Sequence, residues 1–278
     1  MKCPDCGASE TIRDSGEIYC KKCGLELEDT ILYDRQYKPR STAEKIITIP
    51  LLNFHIDAKK ELYALKLGLK YKKLDPDWSK YLGFTLKNNY VKPEIKKQVF
   101  RLVEKALEKN KGQLEESKNF MEKSWQTIND AYWRKIEKVL DYSWQSNEYD
   151  CYLSLVCNGG FHNSANDFII VQHRWRKHSN YVIAHELFHI IFRKYLTEVF
   201  MKKYDEYDEA LSEAIVNFVL LDELKVFPCI NFSFETYGLD KHKAIAQKLW
   251  PIWKARESFK DFMKKAYGVL DREKICSK

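Results

Sequence analysis

The sequence predicts an α+β protein, mainly helical, with two short β regions far apart in the chain. Three observations lead there. Only 10 glycines and 7 prolines interrupt 278 residues, which favours long helices and few long loops. Apolar residues recur at helical spacing through most of the chain after residue 51. The period changes near residues 11–20 and 149–172, where short apolar and β-branched runs are bounded by Gly, Asn and Asp.

Residues 1–33 differ from everything after them. They hold four of the eight cysteines, in the knuckles Cys3-Pro4-Asp5-Cys6-Gly7 and Cys20-Lys21-Lys22-Cys23-Gly24. Between the knuckles, Thr11-Ile12-Arg13 and Glu17-Ile18-Tyr19 flank Asp14-Ser15-Gly16, the composition of a three-residue hairpin turn. Four thiolates at this spacing make a closed tetrahedral zinc site of structural type. Gly7 and Gly24 can take positive φ and turn backbone N–H groups toward the sulfurs. A redox pair of dithiols would use the same cysteines, but two symmetric knuckles, each followed by glycine, favour the metal. Residues 34–50, with Arg35, Lys38, Pro39, Arg40 and Pro50, read as a linker.

Residues 51–112 read as a basic helical region. Asp57 to Leu69 and Pro93 to Asn110 are its clearest helices; the second opens on proline and carries Val99, Leu102, Val103, Ala106 and Leu107 at helical spacing. Lysines with Tyr63, Tyr71, Trp78 and Tyr81 are the makings of a nucleic-acid face. Alternation with glutamate is what a solvated face would show instead. Residues 113–278 form the expected main domain. Ser117 to Asp141 reads as one amphipathic helix with Met121, Trp125, Ile128, Tyr132, Ile136 and Val139 on one side. Tyr149 to Val156 and Asp167 to Gln172 read as strands joined through Asn158-Gly159-Gly160. Ser179-Asn180 is the expected N-cap of a helix to about Arg193. Further helices are expected from Asp205 to Leu224 and from Leu239 towards Ala266, the last interrupted at Pro251.

The net charge of +7 is spread along the chain, which permits contact with nucleic acid or an acidic protein without requiring it. No run of about 18 apolar residues is present, so no membrane span is expected. Met1-Lys2-Cys3-Pro4 lacks the apolar core of a signal peptide. The expected location is the cytoplasm, where thiols stay reduced and clustered cysteines hold metal. Cys151, Cys157 and Cys229 are expected as small buried apolar groups.

The run His185-Glu186-Leu187-Phe188-His189 carries the chemistry. Residues four apart stack on one helix face, so His185 and His189 can chelate one ion through neutral imidazoles. Glu186 lies about 100° further round, beside the ion, where a general base is needed. Zinc lowers the pKa of a bound water to about 7, and a nearby carboxylate can take its proton during attack on a carbonyl. A catalytic zinc has three protein ligands and one open position. Glu209 is the expected third ligand, and Glu213, one turn later, the expected partner of a ligand histidine's far nitrogen. A helical histidine pair among surface glutamates would carry the same letters. However, Val182, Ile183, Leu187, Ile190 and Ile191 mark the helix as buried, where an unpaired glutamate is costly.

These residues resemble the thermolysin-like metallopeptidases, the gluzincins, over about residues 115–225. Nineteen residues separate His189 from Glu209, and Asp208-Glu209-Ala210-Leu211-Ser212-Glu213 is similar to the family's Asn-Glu-Ala-Ile-Ser-Asp, with Asp208 and Glu213 replacing Asn and Asp. The resemblance implies a zincin-like domain of backing helix, small mixed sheet, active-site helix and glutamate helix, as in the compact minimal members. It implies His185, His189 and Glu209 as ligands, Glu186 as base and Glu213 behind the ligands. It implies Gly159-Gly160-Phe161-His162-Asn163 as part of the edge segment along which a peptide substrate would pair, with Gly160 and Phe161 as the substrate-binding candidates. Tyr204, Tyr237 and His242 are the candidates for the group that steadies the oxyanion. Cys276, near the C-terminus, is a candidate for the open zinc position of a latent form.

Lys2 to Asp34 resembles the zinc ribbon of transcription factor B, on Cys-Pro-x-Cys-Gly, Cys-x-x-Cys-Gly-Leu and the acidic Glu26-Leu27-Glu28-Asp29. In that family the ribbon docks on RNA polymerase. The expectation is therefore an intracellular endopeptidase with two zinc ions, one structural and one catalytic. The ribbon would target it to a transcription or DNA-associated complex, through RNA polymerase, a transcription factor or nucleic acid. Two alternatives stand beside it: a non-catalytic transcription-associated protein on a retained zincin scaffold, or a DNA-dependent protease acting on crosslinked proteins. The Spartan-like enzymes of that last class use a third histidine where this chain has Glu209.

Overall fold

The computed structural model describes residues 11–14, 17–20, 26–27, 49–83, 93–143, 146–163, 167–174, 178–202, 206–224, 227, 232–237 and 240–273. Near the N-terminus, β1 (Thr11–Asp14) pairs antiparallel with β2 (Glu17–Cys20), and β3 (Glu26–Leu27) adds to β2. Asp14 sits opposite Glu17, so it belongs to the strand and not to the expected turn. Cys20 ends β2, while Cys3, Cys6 and Cys23 lie outside the described residues.

A second sheet is built from β4 (Leu51–His55), β5 (Glu148–Ser154), β6 (Gly160–Asn163) and β7 (Phe168–Gln172), in the order β4-β5-β7-β6. β4, β5 and β7 run parallel, and β6 closes one edge antiparallel to β7. β4 was expected as the start of a helical region. Its Leu52 and Phe54 point into the core, but its partner β5 is a distant segment, and such pairing leaves no local signature.

One face of this sheet is covered by α1 (Ala58–Tyr71), capped by Asp57, which accepts from Lys60 N at 2.8 Å. Tyr63 meets Phe168 edge-on at 5.9 Å, and the Lys60 ammonium sits 3.7 Å over the same ring. α2 (Trp78–Leu82) and α3 (Pro93–Lys109) follow. α4 (Lys111–Gln126), α5 (Asn129–Leu140) and α6 (Ser179–Val199) belong to the other face. There Trp133 stacks on Tyr149 at 5.2 Å, and the Tyr132 hydroxyl donates to Ala184 O at 3.1 Å.

The single helix expected over Ser117 to Asp141 is broken between α4 and α5. Asn129 Oδ1 accepts from the indole N–H of both Trp125 (2.8 Å) and Trp133 (3.0 Å), and its Nδ2 donates to Pro50 O. Buried indoles need such partners, and one asparagine at the bend satisfies both. The helix expected from Asp205 to Leu224 is α7 (Glu206–Asn217) continued by a π-helical stretch, Phe218–Leu224. The last expected helix divides into α8 (Asp240–Lys254), which contains Pro251, and α9 (Phe259–Glu273). The break falls after Lys254. Arg256 there donates to Trp253 O at 2.7 Å and covers the Trp253 ring at 3.5 Å.

One hydrophobic core extends from Leu52 to Ala266 and includes Val99, Val103 and Ala106 of α3. It crosses the boundary expected after residue 112. No helix among the described residues is long and apolar enough to cross a membrane.

Candidate metal centre

Helix α6 buries apolar residues on nearly every side: Ile183, Ala184, Leu187, Phe188, Ile190 and Ile191 are all at most 1% exposed. His185, Glu186 and His189 interrupt that surface, and polar groups so deep must find partners. The Nε2 atoms of His185 and His189 face one another at 3.0 Å. Glu213, from α7, places Oε2 3.5 Å from the His185 nitrogen and Oε1 3.5 Å from the His189 nitrogen. Ser212 Oγ lies 2.6 Å from His189 Nδ1 and fixes that ring from behind. One ligand atom each from His185, His189 and Glu213 lies within 4.8 Å of the others. Two imidazole nitrogens and a carboxylate oxygen are a donor set suited to zinc, and the facing Nε2 pair fits that ion.

Glu209 is not in that grouping among the described residues, although its charge reaches His162 beside it. It sits on α7 one turn before Glu213. The part expected of Glu213, partner to a far imidazole nitrogen, belongs to Ser212 for His189. His185 Nδ1 is buried with no hydrogen-bond partner. Both carboxylates share a helix face, so the position at which α7 crosses α6 decides between them, and sequence spacing does not.

Glu186 is 8% exposed, and its Oε2 lies 3.0 Å from Nδ1 of His162 on β6. Burial pushes its carboxyl up. The His162 hydrogen bond and the charges of His185, His162 and His189 outweigh that and hold it below the usual carboxylate range. Burial pushes His189 down to about 4, against the pull of Glu213. For Glu213, burial is outweighed by His189 and His185, which hold the carboxylate ionised.

Gly160 belongs to the same wall. A Cβ there would lie 2.6 Å from Glu186 Cγ and from Oε1. Phe161, the neighbouring candidate, is buried on the opposite side of β6, where Lys73 Nζ lies 5.9 Å from its ring centre. Only its main chain is available to an added strand. Tyr237 donates its hydroxyl to Ala214 O at 2.6 Å. His242, on α8, feels the charges of Glu213 and Glu209 while burial lowers its pKa. Tyr204, Cys229 and Cys276 lie outside the described residues. Cys151 and Cys157 are free and buried.

Three neighbours of the centre were not read from the sequence. His162 stacks on His189 with ring centres 4.8 Å apart. Ser212 adjoins Glu213. Tyr181, one turn before His185, lies 5.9 Å from its ring and hydrogen-bonds Asn217. Its four-residue offset from His185 was a usable signal; the strand position of His162 was not.

Among known proteins, no curated protein and no solved structure matches the chain. Residues 1–38 match the family model described as TFIIB zinc-binding, which supports a zinc ribbon of that type at the N-terminus and implies at least one structural zinc ion.

Proposed function

We propose that the chain is a zinc-dependent peptidase, brought by its ribbon to a transcription or DNA-associated protein complex. The observation that carries this reading is the convergence of His185, His189 and Glu213 beside an ionised, buried Glu186. Zinc, when bound, acidifies a water to a pKa of about 7 and polarises the scissile carbonyl. His185 and His189 would hold it through their Nε2 atoms, with Glu213 as the third protein ligand. Glu186 stands beside them to accept the proton of the attacking water and return it to the leaving amine. β6 pairs with β7 on one side only among the described residues, and its other edge suits a peptide that adds as a strand. The order of α5, mixed sheet, α6 and α7 supports the gluzincin reading. With Glu213 as ligand, the carboxylate stands one helical turn later than that family's pattern. The ribbon match supports RNA polymerase, a transcription factor or nucleic acid as the ribbon's partner.

Wild type and Glu186→Gln are each incubated with native cell extract, new protein termini are mapped, and bound zinc is measured. New termini only with wild type, and two zinc ions in both proteins, are expected. Equal cleavage by the variant removes Glu186 as base. Polymerase capture without cleavage by either protein supports the non-catalytic reading instead. Glu213→Gln is expected to lower zinc from two ions to one and Glu209→Gln to leave two; the reverse assigns the ligand to Glu209.

A further inference from the structure

We infer that His162 is the positioning residue for the proposed general base: the edge strand β6 holds the Glu186 carboxylate by one oxygen and leaves the other open for proton transfer. This rests on the peptidase reading. A glutamate on a helix has several rotatable bonds, and a base must be held close to one geometry to be effective. The polar group that reaches Glu186 from outside α6 is His162, with Nδ1 to Oε2 at 3.0 Å. A carboxylate only accepts, so the proton lies on Nδ1. The His162 ring is itself fixed, stacked on His189 with an interplanar angle of 25°. The side chains concerned are 19% and 10% exposed, which leaves little water to compete for the bond.

Gly160 supplies the second half of the device. It lies two residues before His162 on the same face of β6, and a side chain there would collide with Oε1. The strand therefore holds Oε2 through His162 and clears the space around Oε1 through Gly160. One ligand atom each from His162, Glu186 and His189 also lies within 4.8 Å of the others, so a ligand role for His162 is the rival outcome of the test.

The experiment uses the full chain loaded with zinc and compares wild type, His162→Ala and His162→Asn. The asparagine amide N–H can stand where Nδ1–H stands. Expected for His162→Ala is a kcat lower by roughly ten- to hundredfold, KM within about twofold, and zinc content unchanged. His162→Asn is expected to recover most of the loss. Imidazole nitrogen spectra of wild type are expected to place the His162 proton on Nδ1, which packing alone would not dictate. An unchanged kcat in His162→Ala, loss of a zinc ion from it, or an Nδ1 without a proton would each overturn the role while cleavage by wild type persists. Failure of wild type to cleave removes the peptidase reading, and this role with it. Should His162→Ala not fold, the nitrogen spectra and His162→Asn decide.

Discussion

Glu61 on α1 and Glu186 on α6 lie against opposite faces of the same four-stranded sheet. Glu61 is 1% exposed and Glu186 is 8% exposed. Glu61 Oε1 accepts from the backbone N–H of Leu155 at 3.0 Å and Val156 at 3.1 Å, and its Oε2 has no hydrogen-bond partner. Burial pushes its carboxyl up to about 7, against the hydrogen bonds from Ser154, Leu155 and Val156. Glu186 is as deep, yet three imidazoles surround it and its pKa falls. Backbone amides and a hydroxyl donate to the Glu61 carboxylate without supplying countercharge; imidazoles can supply both. Depth alone therefore says nothing about a buried glutamate's role, and its partners do. Glu61 pins the turn that leads from β5 to β6, and Glu186 faces His162 and Gly160 of β6.

The sharpest break in that comparison is Glu186→Gln. Cleavage is expected to fall by roughly 10²–10⁴ with the zinc content intact, whereas Glu61→Gln leaves cleavage within a fewfold; rates on one peptide substrate measure both.

Next in size is a difference in pH dependence. Glu61 binds its proton more tightly folded than unfolded. Its contribution to stability is fully present below about 4.5 and is lost as pH rises through about 7. Urea denaturation is expected to show wild type losing on the order of 3 kcal/mol over that range relative to Glu61→Gln. Parallel curves for the two proteins would mean Glu61 meets no such burial penalty.

The smallest expected effect tests the glycine beside Glu186. Gly160→Ala forces the carboxylate aside, with a cost of about 1–3 kcal/mol in stability and about tenfold in kcat. The zinc content should stay at two ions. An alanine variant as active as wild type would show that β6 yields and does not fix Oε1.

Much of this was legible from local pattern. The helix beginning near Asp57, Pro93 at a helix start, the β1–β2 hairpin and the two histidines on one face of α6 all follow from spacings within a turn or two. Other features were hidden for one reason. β4 looked like part of a helical region because its partner β5 is remote. The bend at Asn129 depends on two indoles and on Pro50, which converge only after folding. His162 reads as one residue of a short glycine-rich segment until β6 is laid beside α6.

By itself, the sequence determined the ribbon, the mainly helical class, and the helix that carries His185, Glu186 and His189, because each is written in periodicity or spacing along a few turns. The tertiary structure alone brought Glu213 to the two imidazoles and His162 of an edge strand to Glu186. Those choices turn on where one element crosses another, and a crossing point is set by packing across the whole core.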